Sequence, residues 1–454
     1  MTSIANTRVA TDSTRFYWTI SFKKIFLFIL IFPIILPFRI PVGDGSVALP
    51  WIVISLFLYY YFIKQIYTGF INFPSKFLAP FFIFTAFAFI SIRVASDKML
   101  GIEKIIIWSL AIVAMIIVRD LISSPENRSV FLRLLFFSAF LAGAVGLLII
   151  ILGLILGIDK VFDFMFFEIA PYLMSREVRM TSMVEIRLHH PLLNWTVKGG
   201  KIFRNISLFF SPTVAAGFFG LLAPVALSLY LNTKRRGLYL FTFFIIANVL
   251  LTMTRSSWIA LFFAFGYVFL KSESFNRKMI VCASVIVFMA TLLSFEPFNR
   301  RIFSETFSAE GSMVYRSLYL KQGLELVKAH SFYGIGFANY KHFSNLFVLR
   351  GPPHNGYIKL WAETGLGGLF GFLLILLTAF RRNSKKIRFA ATPFDKGLYI
   401  GIVGSIIFFI VYSFFGDHLS SPPVIMTFML LLGLGETDLT VANKTLRWKR
   451  AEVK

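Results

Sequence analysis

Pro353-His354-Asn355-Gly356 closes a polar segment, 295–355, and opens an apolar run long enough to cross a bilayer. A histidine at such a mouth is a titratable ring held at the membrane surface, where it can accept a proton from a hydroxyl. Two further apolar runs open on cations and hydroxyls. Thr254-Arg255-Ser256-Ser257 stands at the start of 256–270, and Arg204, with Ser207 and Ser211, stands ahead of 207–231. A helix N-terminus offers free N–H groups and a positive dipole end to anions. If the three ends converge, two guanidinium groups, three helix ends and one imidazole form a pocket suited to a phosphate or diphosphate. Each piece also has a plainer reading. Arg255 can be an interfacial anchor, Arg204 with Lys198 and Lys201 a solvated loop face, and His354 or Asn355 a helix cap. What favours the pocket is that all three stand on the same side, at helices running the same way.

The elements that must position these residues follow from composition. Hydrophobic residues make up 57% of the 454-residue chain and charged ones only 15%, more apolar surface than a soluble domain can bury. The expected fold is an all-α polytopic membrane protein of about twelve transmembrane helices with two long periplasmic segments containing short helices. The runs lie near 25–41, 48–66, 77–93, 104–118, 134–157, 207–231, 237–253, 256–270, 279–294, 356–379, 398–415 and 419–435. Pro212 and Pro224 predict a kink in the sixth. The division is an N-terminal five-helix region (1–157), an outer segment (158–206), helices 6–9 (207–294), a large outer loop (295–355), helices 10–12 (356–435) and a tail (436–454).

A net charge of +24 would suggest nucleic acid in a soluble protein, but here the basic residues sit in short runs between spans. Lys234-Arg235-Arg236, Arg381-Arg382 with Lys385-Lys386, and Arg447-Trp448-Lys449-Arg450 alternate with nearly uncharged turns such as Gly43-Asp44-Gly45-Ser46. That is the positive-inside pattern, so membrane lipid and not nucleic acid is the expected surrounding, with both termini cytoplasmic and all six histidines outside. Lys23-Lys24 precede an apolar run with no small-residue cleavage site, which reads as an uncleaved first span. The single cysteine, Cys282, excludes an intrachain disulfide.

Within the large outer loop, Ser312 to His330 carries apolar residues at helical spacing and predicts a helix on the membrane surface. Tyr333-Gly334-Ile335-Gly336 then reads as a tight turn folding the loop back over the membrane, since no strand precedes it to make a dinucleotide motif. In the following span Lys359 and Glu363 form an i,i+4 pair, a functional candidate or a mutually neutralised one. Gly365, Gly367, Gly368 and Gly371 are expected to serve close helix packing. There is no paired-acid motif, P-loop or H-E-x-x-H, and the adjacent His189-His190 make a poor metal pair, so neither metal nor cofactor is expected.

These pieces resemble the O-antigen ligase and Wzy-type polymerase superfamily of bacterial envelope glycosyltransferases. The resemblance rests on Thr254-Arg255-Ser256-Ser257-Trp258, Arg316 ahead of Gly334-Ile335-Gly336, His354-Asn355-Gly356-Tyr357 and Ala362-Glu363-Thr364-Gly365-Leu366-Gly367, with Arg204 to Pro212 similar to the upstream arginine region. Family members often have glycine or alanine where Ser256-Ser257 stand. The resemblance implies metal-independent, inverting transfer of a glycan from an undecaprenyl-diphosphate-linked donor to an acceptor hydroxyl at the periplasmic face of the bacterial inner membrane. It implies His354 as the base and Arg255 as the first diphosphate contact, with Arg204 and Arg316 assisting and Asn355 and Glu363 in supporting roles. The acceptor expected first is lipid A-core, as in a ligase. A glycan repeat would make the protein a polymerase and a protein hydroxyl an O-oligosaccharyltransferase. A flippase is the alternative from outside the enzyme class, disfavoured by the absence of internal repeats.

Overall fold

The computed structural model describes residues 76–122, 124–169, 204–294, 311–344 and 352–436, together with 39–42, 45–48, 52–56, 59, 194–197 and 200–203. Apart from two four-residue antiparallel hairpins, Arg39–Val42 with Gly45–Ala48 (β1, β2) and Asn194–Val197 with Gly200–Phe203 (β3, β4), the regular elements among these residues are helical. The helices are α1 (Leu78–Ser91), α2 (Lys98–Leu121), α3 (Pro125–Leu156), α4 (Ile158–Asp163), α5 (Pro212–Thr233), α6 (Arg236–Leu251), α7 (Arg255–Lys271), α8 (Phe275–Leu293), α9 (Gly311–Ala329), α10 (Tyr340–Ser344), α11 (Gly356–Arg388), α12 (Pro393–Ser413) and α13 (Pro422–Glu436).

Helices stand where ten of the expected spans were placed, from 77–93 to 419–435. Most of the expected spans 25–41 and 48–66 lies outside the described residues, with 39–41 in strand and 52–56 helical, and so do His189, His190 and the basic tail. Among the described residues five helices, α2, α3, α5, α11 and α12, are long and apolar enough to cross a membrane, while α1, α6 and α13 are shorter apolar helices. The protein is a helical membrane protein. Its surface agrees with that, since Phe82, Leu154, Phe262 and Leu270 are well exposed, an arrangement that a lipid solvent tolerates.

The centre of the bundle is α5. Its residues from Ala215 to Leu231 are buried all round, which a helix apolar on every face requires. It packs chiefly on α12, and also on α6, α7 and α13. Between lipid-embedded helices the gain comes from close contact and not from water release. Small residues supply that contact: a Cβ on Gly401 of α12 would stand 2.6 Å from the Cα of Val225, and Ser405 Oγ donates to the Leu221 carbonyl at 2.5 Å. Of the two prolines expected to bend this segment, Pro212 instead heads α5 behind the Ser211 cap, where its missing N–H costs nothing; only Pro224 lies inside the helix.

The second correction concerns α11. Gly365 has φ 70° and ψ −177°, so the helix is two helices meeting at a break. At that position the glycine serves backbone conformation and not helix packing. A Cβ there would stand 1.9 Å from the Phe332 carbonyl oxygen. Gly367 and Gly371 do face a neighbouring helix, meeting Phe87 and Phe84 of α1, whereas Gly368 faces Thr364 of its own helix. The turn after α9 repairs the break. Ile335 N donates to the Ala362 carbonyl at 2.8 Å, Gly336 N to the Glu363 carbonyl at 3.1 Å, and Leu366 N to the Ser331 carbonyl at 2.8 Å. Backbone groups freed in an apolar setting must find such partners. The glycine-rich turn is thereby fixed to the spanning helix.

Candidate functional site

The site is built around the start of α11. Asn355 is the N-cap: its Oδ1 accepts from Tyr357 N at 3.0 Å and Ile358 N at 3.1 Å. His354 is therefore released from capping, and its backbone sits in the left-handed region at φ 48°, a conformation uncommon for a residue with a Cβ. The half-buried imidazole packs beside Tyr319 of α9, ring centroids 5.8 Å apart. Its pKa lies below the usual imidazole range, first because burial penalises the charged ring, then because the Arg316 guanidinium is near, with Asp417 opposing. The neutral form is favoured by desolvation and a neighbouring cation.

Behind His354, α11 meets the turn between α12 and α13. Lys359 Nζ donates to Asp417 Oδ2 at 2.5 Å and to Ser420 Oγ at 2.9 Å, and stands 3.8 Å from Glu363. The partner of Lys359 is thus Asp417 more closely than Glu363. Burial opposes the Asp417 charge, but the Lys359 ammonium and the Ser420 hydroxyl hold its pKa low. Glu363, buried, also accepts from Tyr340 N at 3.3 Å, which fastens α10 to α11. A cavity of about 160 Å³ opens among Trp108 of α2, Lys359, Glu363, Asp417 and Ser420.

The second group of cations gathers at the turn between α6 and α7. Arg204 Nε donates to the Thr252 carbonyl at 2.8 Å, and its guanidinium donates to Thr254 Oγ1 at 3.2 Å. Asn205 completes the seam, donating from its backbone to the Leu251 carbonyl at 3.0 Å and from Nδ2 to Asn248 Oδ1 at 2.8 Å. Arg204 is therefore held against the residues that immediately precede Arg255, the half-buried first residue of α7. The expected helix start at 207 is a single 3-10 turn, Ser207–Phe209, and α5 begins behind the Ser211 cap.

The two groups are linked by residues that the sequence reading did not single out. Arg204 lies within electrostatic reach of the Tyr412 phenol. Tyr412 is stacked on His418, centroids 3.6 Å apart and planes 6° from parallel, and His418 in turn lies within electrostatic reach of His354. His418 is buried, its Nε2 has no hydrogen-bond partner among the described residues, and burial pushes its pKa down to about 3. It stays neutral at any physiological pH. The available signal was Asp417-His418 itself, an ionisable pair in the short turn between two apolar runs.

Thus His354 and Arg316 share one neighbourhood, Arg204 and the Thr254-Arg255 corner another, and Tyr412 with His418 lies between them. Such an arrangement can stabilise an anionic leaving group and accept a proton. Residues 240–373 match the family model described as O-antigen ligase, a segment that includes Arg255, Arg316, His354, Asn355 and Glu363 and leaves Arg204, Tyr412 and His418 outside. Among curated proteins none matches the chain.

Proposed function

We propose that this membrane protein, whose residues 240–373 carry an O-antigen ligase domain, transfers a glycan from a polyprenyl-diphosphate carrier to an acceptor hydroxyl at the outer face of the inner membrane. The observation that carries the reading is His354: a half-buried imidazole beside a guanidinium, at the mouth of a spanning helix, inside the matched segment.

The chemistry follows from the groups. The acceptor hydroxyl gives its proton to neutral His354 as its oxygen attacks the anomeric carbon from the face opposite the diphosphate. The bond from that carbon to the diphosphate oxygen breaks, with inversion. A diphosphate is already a competent leaving group, so the protein has to balance its growing charge and need not protonate it. Arg255 takes that role, with Arg204 and Arg316 assisting, because a guanidinium grips phosphate oxygens through a fork. Asn355 fixes the end of α11 through its cap, and Glu363 anchors the outer loop. Lipid A-core is the acceptor expected for a ligase. The positive-inside charge pattern supports a periplasmic position for these residues.

His354→Ala is expected to abolish transfer in a purified-protein assay with lipid-linked donor while membrane insertion and melting temperature stay normal. Wild-type turnover in that variant would remove the base. In a deletion strain, a build-up of polymer on the carrier indicates a ligase; single repeats on the carrier would make the protein a polymerase instead.

A further inference from the structure

The cavity of about 160 Å³ between α2, the start of α11 and the start of α13 has no part in the transfer chemistry above. Its lining is of two kinds. Lys104, Lys359, Glu363, Asp417 and Ser420 are polar, whereas Trp108, Phe337 and Ile425 are apolar. Both kinds are set in place before any ligand arrives. Lys359 Nζ donates to Asp417 Oδ2 at 2.5 Å, and Ser420 Oγ donates to Asp417 Oδ1 at 2.8 Å. Trp108 is wedged between Phe84 and Phe372, with ring centroids 5.0 and 6.0 Å away. Gly356, two residues beyond His354, also lines the space, so it begins within about 7.6 Å of backbone from the base.

Two ammonium and two carboxylate groups cancel in formal charge, so this lining does not select an anion. It offers many donors and acceptors beside an aromatic body, which suits a neutral ring with hydroxyls at its edge and C–H groups on its face. Pockets for drug-sized ligands run to about 300–1,000 Å³, so this one takes a single ring and not an oligosaccharide. Among the described residues that line it, none is an arginine assigned to the diphosphate. We propose that the cavity seats one sugar ring of the acceptor glycan, next to the hydroxyl that meets His354, with Lys104 and Trp108 selecting the acceptor. The assignment rests on the transfer reaction proposed above and adds where its acceptor is read. Lys104, Trp108, Asp417 and Ser420 all lie outside 240–373, so this recognition draws on segments beyond the matched domain.

The test uses the full-length protein in nanodiscs and two variants on α2, away from the base. Ile107→Trp fills the cavity from a half-buried position on its wall, and Lys104→Gln removes one of its cations. Ile107→Trp should raise KM for the acceptor about tenfold and Lys104→Gln about threefold, with KM for the lipid-linked donor unchanged. Saturation-transfer NMR reads binding without turnover, using deacylated core oligosaccharide and a free repeat-unit oligosaccharide as probes. Signal from either probe that is lost in Ile107→Trp supports the site, core indicating a ligase and the repeat a polymerase. No signal from either probe, signal that persists in Ile107→Trp, or a KM rise for the donor would overturn the assignment. Should Ile107→Trp fail to fold, Lys104→Gln decides by the same readings. If wild-type protein transfers nothing, the reaction is at fault, and the NMR signal alone then decides the cavity.

Discussion

At the scale of single residues, the proposed transfer depends on keeping one imidazole neutral. Burial and Arg316 both disfavour the protonated ring of His354, and Asp417 partly offsets them. Because the folded pKa lies below the free-imidazole value, the proposed base stays available as pH falls through about 6.5, and the acid limb of the rate profile is expected lower still. Removing the like charge with Arg316→Gln should raise that pKa and move the acid limb to higher pH. Arg316 is exposed, so the displacement should be larger at low ionic strength than at high. A kcat/KM profile at two salt concentrations checks both statements. An acid limb that does not move would mean that Arg316 has no hold on the base. Arg204, Arg255 and His354 stand out in the sequence as candidates because they lie at the mouths of apolar runs, whereas Arg316 is a candidate only through the resemblance. His418 and Tyr412 could not, since their importance lies in a stacking contact with no local pattern.

At the scale of elements, the decisive feature is the interrupted α11. Periodicity reads 356–379 as a single span, because hydropathy averages over a one-residue break. Nothing in Glu363-Thr364-Gly365 announces that Gly365 is left-handed, since a glycine stripe in a membrane helix reads first as a packing surface. What the sequence lacks is the partner: Ile335 and Gly336 must arrive to receive the Ala362 and Glu363 carbonyls. Gly365→Ala combines a φ of 70° with a Cβ 1.9 Å from the Phe332 oxygen. It should destabilise the protein by about 2–4 kcal/mol and lower activity more than Gly367→Ala, whose Cβ meets only a side-chain ring. Thermal melting in detergent together with transfer rate measures both. Parity between the two alanine variants would show that the break is dispensable.

At the scale of the whole molecule, the end of the bundle away from the site is tied by a buried ion pair. Arg128 Nη1 donates to Asp395 Oδ1 at 2.8 Å, joining the first turns of α3 and α12. Asp395 is also the acceptor for the Thr392 hydroxyl at 2.8 Å. Arg128→Leu leaves a buried carboxylate without its cation and should destabilise by about 3–5 kcal/mol, whereas Arg128→Leu with Asp395→Asn should recover much of that loss. Since α12 separates this pair from the Asp417 turn by its full length, KM of the folded protein should not change. A melting series with steady-state kinetics tests this, and a KM change would mean the two ends communicate. Membrane class and helix positions were legible because length and hydropathy suffice for them. The helix neighbours were not, because α5 and α12 meet through small residues such as Gly401 and Ser405 that any helix can carry.

The seam between the glycine turn and α11 also bears on how this protein can be re-engineered. Residues 331–336 and 362–366 complete each other's peptide groups, so neither strip is a self-sufficient module. A chimaera that imports a homologue's loop while keeping the native helix strands the carbonyls that the loop satisfies. Exchange of 311–388 as one cassette keeps both sides of the joint together, and the natural unit of recombination is therefore loop plus helix.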